Sequence, residues 1–292
     1  MACPECFTGH INPGTPTGHW ETIHGLRTYV AKPAPGKSTP GIIVIIPDAF
    51  GVDFVNNQIL ADHYASAADF LVYLPDFMDG NAAPVRTMIN MAHLWDETES
   101  WLFKPYYLIA MLFDFLPHLY RNRFTVTWPR VTGFLKELHA NNADAYPVGV
   151  AGFCWGGLHA IRLTHETGET ITASGLPLAD AIFAAHPSSV DVAADIGNVR
   201  RNLSIAIGDD DAVMGIKQVR QAELILASKS DIDSEVIIYP GAKHGFSIRA
   251  SRVKADSVET RQAAEAEEQA VSWFKRRFDA VSRTRQVVGQ SK

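Results

Sequence analysis

An α/β architecture built on a mostly parallel sheet is the fold class this sequence predicts, and three observations predict it. Short apolar runs alternate with stretches of helical spacing along the 292 residues. One run, Ile42-Ile43-Val44-Ile45-Ile46, is continuously β-branched, as expected of a strand covered on both faces. No internal repeat or low-complexity segment breaks the pattern, so one domain over residues 1–292 is expected.

In chain order, Leu26 to Ala31 reads as an edge strand, and KPAPGKSTPG (Lys32 to Gly41) as a surface loop. After the β-branched strand, Asn57 to Ala68 sets Ile59, Leu60, His63, Tyr64 and Ala67 at helical spacing. Phe70 to Leu74 is a strand closed by Pro75-Asp76. Tyr146 to Phe153 is a strand and Gly156 to Thr167 a helix. Strands follow at Ala181 to Ala185, Leu203 to Ile207 and Glu235 to Tyr239, with a helix at Gly215 to Ala227 between the last two. A long helix, Ser257 to Phe278, comes last.

The rhythm fails between Asn81 and Asn142, some 60 residues with no convincing strand. Pro129 to Ala140 fits the regular crossover helix, which leaves an aromatic-rich helical insertion at about 81–128. It holds Trp95, Trp101, Phe103, Tyr106, Phe113, Phe115, Tyr120 and Trp128 among others. Two readings stand: extra core on a helix face, or a lid or pocket wall at the loop end of the sheet.

Bulk properties exclude several function classes. A net charge of −6 with no lysine/arginine block argues against a nucleic-acid partner. The greasiest run, Tyr106 to Phe113, is far shorter than the roughly 20 residues of a membrane span, so no membrane partner is expected. The opening MACPECFTGHINPG lacks the basic and apolar regions of a signal peptide, and only three cysteines occur, so a cytoplasmic protein with free thiols is expected. Cys3 and Cys6 form an isolated C-x-x-C without two further ligands at suitable spacing; no metal and no cofactor are expected.

The chemistry is concentrated in GVAGFCWGGLHAIRL, Gly149 to Leu163. A strand, a turn and a helix meet at Cys154, with glycines two before and two after it, where so tight a turn admits no side chain. The turn lifts the thiol above the carboxyl end of the sheet, at a helix N-terminus that favours thiolate. The amide of Trp155 then points at any oxyanion formed on a carbonyl attacked by Cys154. A nucleophile in this setting needs an acid and a histidine, in that order, on loops after later strands. Gly208-Asp209-Asp210-Asp211 follows one strand and Pro240-Gly241-Ala242-Lys243-His244-Gly245-Phe246 the next. His244 is the expected base, and His186 a rival that precedes the acid and is placed instead in the pocket lining. Of the aspartates, Asp211 is preferred, with Asp209 next.

These residues resemble the dienelactone hydrolase family of α/β-hydrolases over nearly the whole chain. Matching pieces are Gly152 to Gly157, Ile45 to Val52, Tyr73 to Phe77, Gly208 to Asp211 and Tyr239 to Phe246. The opening Cys3-Pro4-Glu5-Cys6-Phe7, with Thr22 to Gly25, resembles the fungal branch. The resemblance implies Cys154 as nucleophile, His244 as general base and acid, Asp211 as the acid of the triad, and a second oxyanion amide at Ala49. Bacterial members carry a glutamate that holds the resting thiol; the matching position here is Asp48, one methylene shorter. That contact and the dienelactone substrate are therefore not carried over. Phe50, Phe246 and Arg249 join Asp48 and His186 as residues expected to bind substrate or modulate the site, Arg249 by pairing with a substrate carboxylate unless it is a solvated surface arginine.

The expected function is cysteine-dependent hydrolysis of a carboxylic ester or lactone through a thioester. Two alternatives are a non-hydrolytic cyclase, isomerase or acyl transferase acting on a polyketide-like compound, and a catalytically silent binding protein. The expected partners are a small ester or lactone substrate and, at most, a second copy in a homodimer.

Overall fold

A computed structural model of the chain describes residues 9–142 and 146–290, which leaves Cys3 and Cys6 outside the described residues. Eight strands form one sheet: β1 His19–Ile23, β2 Leu26–Ala31, β3 Ile42–Ile46, β4 Leu71–Pro75, β5 Val148–Phe153, β6 Ala181–Ala185, β7 Leu203–Gly208 and β8 Ser234–Tyr239. Their spatial order is β1-β2-β4-β3-β5-β6-β7-β8. The β1–β2 and β2–β4 pairs are antiparallel, and every pair from β4–β3 to β7–β8 is parallel. This is an α/β-hydrolase fold. β1 has no counterpart among the expected strands because HWETI lies largely exposed at the sheet edge and lacks an apolar run.

The helices are α1 Val55–Ala68, α2 Arg86–Trp95, α3 Lys104–Arg121, α4 Phe124–Asn142, α5 Trp155–Leu163, α6 Ile216–Ala227, α7 Phe246–Arg249 and α8 Val258–Gln290. The alternation along β3 explains why both sheet faces are covered. Ile43 and Ile45 enter a core with Leu60 and Tyr64 of α1 and Trp273, Phe274 and Phe278 of α8. Ile42, Val44 and Ile46 enter the opposite core with Val131, Leu135 and Leu138 of α4, Ile161 of α5 and Val219 of α6. Successive side chains of a strand point to opposite faces, so a run of five β-branched residues requires both layers.

α2 and α3 make up the insertion, and its aromatic residues differ in burial. Phe115 and Trp128 are buried, but Trp95, Trp101, Phe103, Tyr106, Phe113 and Tyr120 are exposed. Part of the segment is core, through Met88, Met91 and Phe115, while most of its aromatic residues stay outside it. α3 buries Phe115 and His118, packs beside α2 through the stacked His93 and Tyr107 rings and the Arg86–Asp114 pair, and leaves Tyr106, Phe113 and Tyr120 exposed.

Phe274 is fully buried between α8 and the sheet, with its ring 5.9 Å from that of Phe278. Phe274→Ala is expected to lower the free energy of unfolding by about 3–5 kcal/mol, read as a reduced urea midpoint with unchanged slope.

Candidate active site

The turn after β5 is a strained one. Cys154 has φ 50° and ψ −108°, a backbone conformation that costs a non-glycine residue on the order of 1–3 kcal/mol. Surrounding bonds hold it: its N–H donates to the Ala185 carbonyl at 3.1 Å, and its carbonyl accepts from Gly157 N at 3.0 Å and Ser188 N at 2.9 Å. The glycines serve backbone approach. A Cβ on Gly156 would fall 2.2 Å from the Ile46 carbonyl oxygen, and one on Gly152 2.4 Å from the Gly156 oxygen.

The loops after β7 and β8 bring two side chains to this thiol. His244 Nε2 lies 3.1 Å from Cys154 Sγ. On its other side Nδ1 donates to Asp211, at 2.9 Å to Oδ2 and 3.1 Å to Oδ1. Asp211 Oδ1 also accepts from the amides of Val213 (2.8 Å) and Met214 (3.1 Å), which fixes the carboxylate. Asp209, the other candidate, is exposed and accepts from Gly241 N at 2.6 Å, tying the two loops together.

Burial drives the His244 pKa down, but the adjacent Cys154 charge and the hydrogen bond to Asp211 outweigh it and raise the value to about 9. At neutral pH this shift favours the imidazolium form of His244. The second histidine differs. His186 is buried with Nε2 2.8 Å from Ser247 Oγ, and burial, helped by the charges of His244 and Arg249, pushes its pKa well below the ordinary value. It is a neutral ring set edge-on to His244 at 5.2 Å and to Phe246 at 5.8 Å, and it does not reach the base position.

Asp48 and Arg249 meet far from where the sequence put the arginine. Both side chains are buried, and Arg249 Nη1 donates to Asp48 Oδ2 at 2.5 Å. A solvated Arg249 is thus excluded, and its guanidinium has a partner in Asp48 before any substrate carboxylate arrives. Asp48 Oδ1 accepts in addition from Asn57 Nδ2 (3.0 Å) and Phe50 N (3.2 Å). Burial raises the Asp48 pKa, Arg249 pulls it back, and the nearby Cys154 charge raises it further. Phe50 is buried under this pair, with the guanidinium 5.6 Å from its ring centre.

The amides of Ala49 and Trp155 have no protein acceptor among the described residues. Trp155 is the first residue of α5, where N–H groups lack an intrahelical partner. Both residues are tied to the root of the insertion: Ala83 N donates to the Ala49 carbonyl at 2.8 Å, and Trp155 Nε1 to the Asn122 carbonyl at 3.1 Å. His118 of α3 is part of the same root. Its Nδ1 donates to the Asn81 carbonyl at 3.0 Å, and burial lowers its pKa while the charges of Cys154 and Asp48 oppose that. His118 escaped the sequence reading because nothing but its i, i+4 spacing to Asn122 marked it. A cleft of about 250 Å³ is lined by His244, Phe246 and Arg249 together with Lys243, Val258 and Gln262, and Cys154 does not border it. Among the described residues no cluster of histidine, cysteine and carboxylate side chains could hold a metal ion, and no helix is long and apolar enough to cross a membrane.

Two outcomes are expected. Because the folded pKa of His244 lies above its ordinary 6.5, its stabilising contribution is complete below about pH 6.5 and lost as pH rises through about 9. Urea unfolding from pH 6 to 10 should show this loss, and Cys154→Ala should move it to lower pH. Arg249→Met leaves the Asp48 charge buried alone and should cost about 3–5 kcal/mol; adding Asp48→Asn should recover part of it.

The chain matches the profile of the Dienelactone hydrolase family over residues 26–278. Hydrolase pyvD of Aspergillus violaceofuscus is 27% identical over 272 residues, covering 92% of this chain and 94% of that protein. Hydrolase tropI of Talaromyces stipitatus is 28% identical over 270 residues, covering 92% and 94%. The crystal structure of a dienelactone hydrolase from Anabaena variabilis superposes with a TM-score of 0.53 at 14% identity, covering 89% of this chain and 97% of that one, a likeness of fold.

Proposed function

This chain belongs to the dienelactone hydrolase family, and from that premise we propose that it hydrolyses a carboxylic ester or lactone through a thioester on Cys154. The observation that carries the reading is the line Asp211–His244–Cys154, with 2.9 and 3.1 Å between successive groups, set on a strained strand-to-helix turn. Names given to relatives, hydrolase in two fungal proteins and carboxymethylenebutenolidase homolog in a human one, support the same reaction class.

In this scheme the Cys154 thiolate attacks the carbonyl carbon and the carbonyl oxygen becomes an oxyanion. Amides of Ala49 and Trp155 receive it, each donor worth roughly 3 kcal/mol in the transition state. The His244 imidazolium gives its proton to the departing oxygen, which in a lactone stays attached through the ring. His244, neutral again, takes a proton from water, and the hydroxide attacks the thioester, releasing the acid and restoring the thiolate. Asp211 keeps the Nδ1 proton in place so that Nε2 always faces the sulfur. Asp48 disfavours a second negative charge close by, and Arg249 offsets it.

The reading is tested with short p-nitrophenyl esters and a simple enol-lactone. Cys154→Ala and His244→Ala should each lose at least about 10³-fold in kcat/KM, and Asp211→Asn about 10²- to 10⁴-fold. Intact-mass measurement of quenched wild type should show an acyl adduct on Cys154. Turnover that survives either alanine variant would sink the proposal.

A second reading rests on burial: Cys154 is 2% exposed and the His244 and Asp211 side chains are wholly covered. So dry a site suits cyclisation, isomerisation or acyl transfer as well as hydrolysis. Reaction in ¹⁸O-labelled water separates them, since only hydrolysis places the label in the product.

A further inference from the structure

Five residues of α3, with Leu102 in the turn before it, follow a regular alternation of spacings: Leu102, Tyr106, Ile109, Phe113, Leu116 and Tyr120, at intervals of four, three, four, three and four. That is the a/d pattern of a coiled coil. At 100° per residue the five helical residues fall within a stripe about 80° wide. The stripe lies on the side of α3 away from Phe115 and His118, the two residues the helix buries. All six are exposed, from 56% for Leu116 to 78% for Phe113. Taking about 150–250 Å² for a large side chain, they present roughly 900 Å² to solvent. The largest apolar patch of an ordinary monomer is about 300–600 Å², and one side of a stable protein interface is about 800 Å².

We propose that this stripe is the contact between two copies of the chain, which pair through α3 and its symmetry mate, antiparallel across a two-fold axis. The pattern itself selects a second copy. In an antiparallel pair each a residue packs with a d residue of the other helix. Placing the axis between Ile109 and Phe113 pairs Leu102 with Tyr120, Tyr106 with Leu116 and Ile109 with Phe113, and by symmetry each pair occurs twice. All six residues are used, and every layer combines one aromatic with one aliphatic side chain. A lipid surface fits worse, because the stripe holds no charged residue and α3's Asp114 is engaged by Arg86. The inner face of α3, with His118 and the insertion root over Ala49 and Trp155, remains with its own active site.

Light scattering coupled to size-exclusion chromatography at micromolar concentration tests this. Wild type should run at twice the chain mass of 32.1 kDa. Ile109→Glu and Phe113→Glu should each halve that mass with unchanged far-UV circular dichroism, since both positions face solvent in the single chain. The double variant Ile109→Glu/Phe113→Lys sets opposite charges in the same layer and should restore the doubled mass. Wild type at the single-chain mass overturns the proposal, whether or not it then sediments with lipid vesicles. So does a doubled mass that both glutamate variants keep.

Discussion

Placing an imidazole, a guanidinium, two carboxylates and a thiol together out of water is costly unless each charge meets its opposite with good geometry. Here the balance is made by two buried pairs that share one sulfur: His244 with Asp211, and Arg249 with Asp48. The Cys154 charge raises the pKa of both His244 and Asp48, and Arg249 opposes that rise at Asp48. A change at any of these positions redistributes charge among all of them. The surrounding architecture follows from this need, since the segments after β3, β5 and β7 each deliver one member and that after β8 delivers two, and parallel strands place those ends on the same edge of the sheet.

Much of this was legible in the sequence for reasons that are local. The glycines around Cys154 announce a turn too tight for Cβ atoms, and Gly156 does pack against the Ile46 backbone. The β-branched run Ile42–Ile46 announces a strand covered twice, and it is. His244 and a run of three aspartates announced themselves by place, just past two apolar strands; place alone left the choice within Asp209-Asp210-Asp211 open, and it is Asp211 that approaches His244 in the fold. What stayed hidden depends on contacts distant in sequence. Arg249 carries no mark that distinguishes a buried ion-pair partner from a surface arginine, and its partner lies 201 residues away. The aromatic insertion could be read as extra core or as a pocket wall because aromatic density normally means burial, and here Met88, Met91 and Phe115 enter the core while most of the aromatic residues stay exposed.

The insertion occupies a particular position in the design. Its root touches the loops of Ala49 and Trp155, whose amides stand open, while its outer surface is apolar. One short helical pair thus joins the place where a carbonyl oxygen would rest to a surface that water solvates poorly. Movement of α3 would be felt at both, because the Asn81 carbonyl accepts from both His118 and Asn122 at the inner end.

The separation of Asp48 from Arg249 has a bearing on the protein's synthesis. A chain emerging from its N-terminus presents the Cys154 segment 90 residues before His244 and 95 before Arg249. Until those arrive, the sulfur lacks the His244 imidazole beside it, and Asp48 lacks its Arg249 partner. The cluster around the sulfur is complete only once the last parallel strand and the turn beyond it have been made.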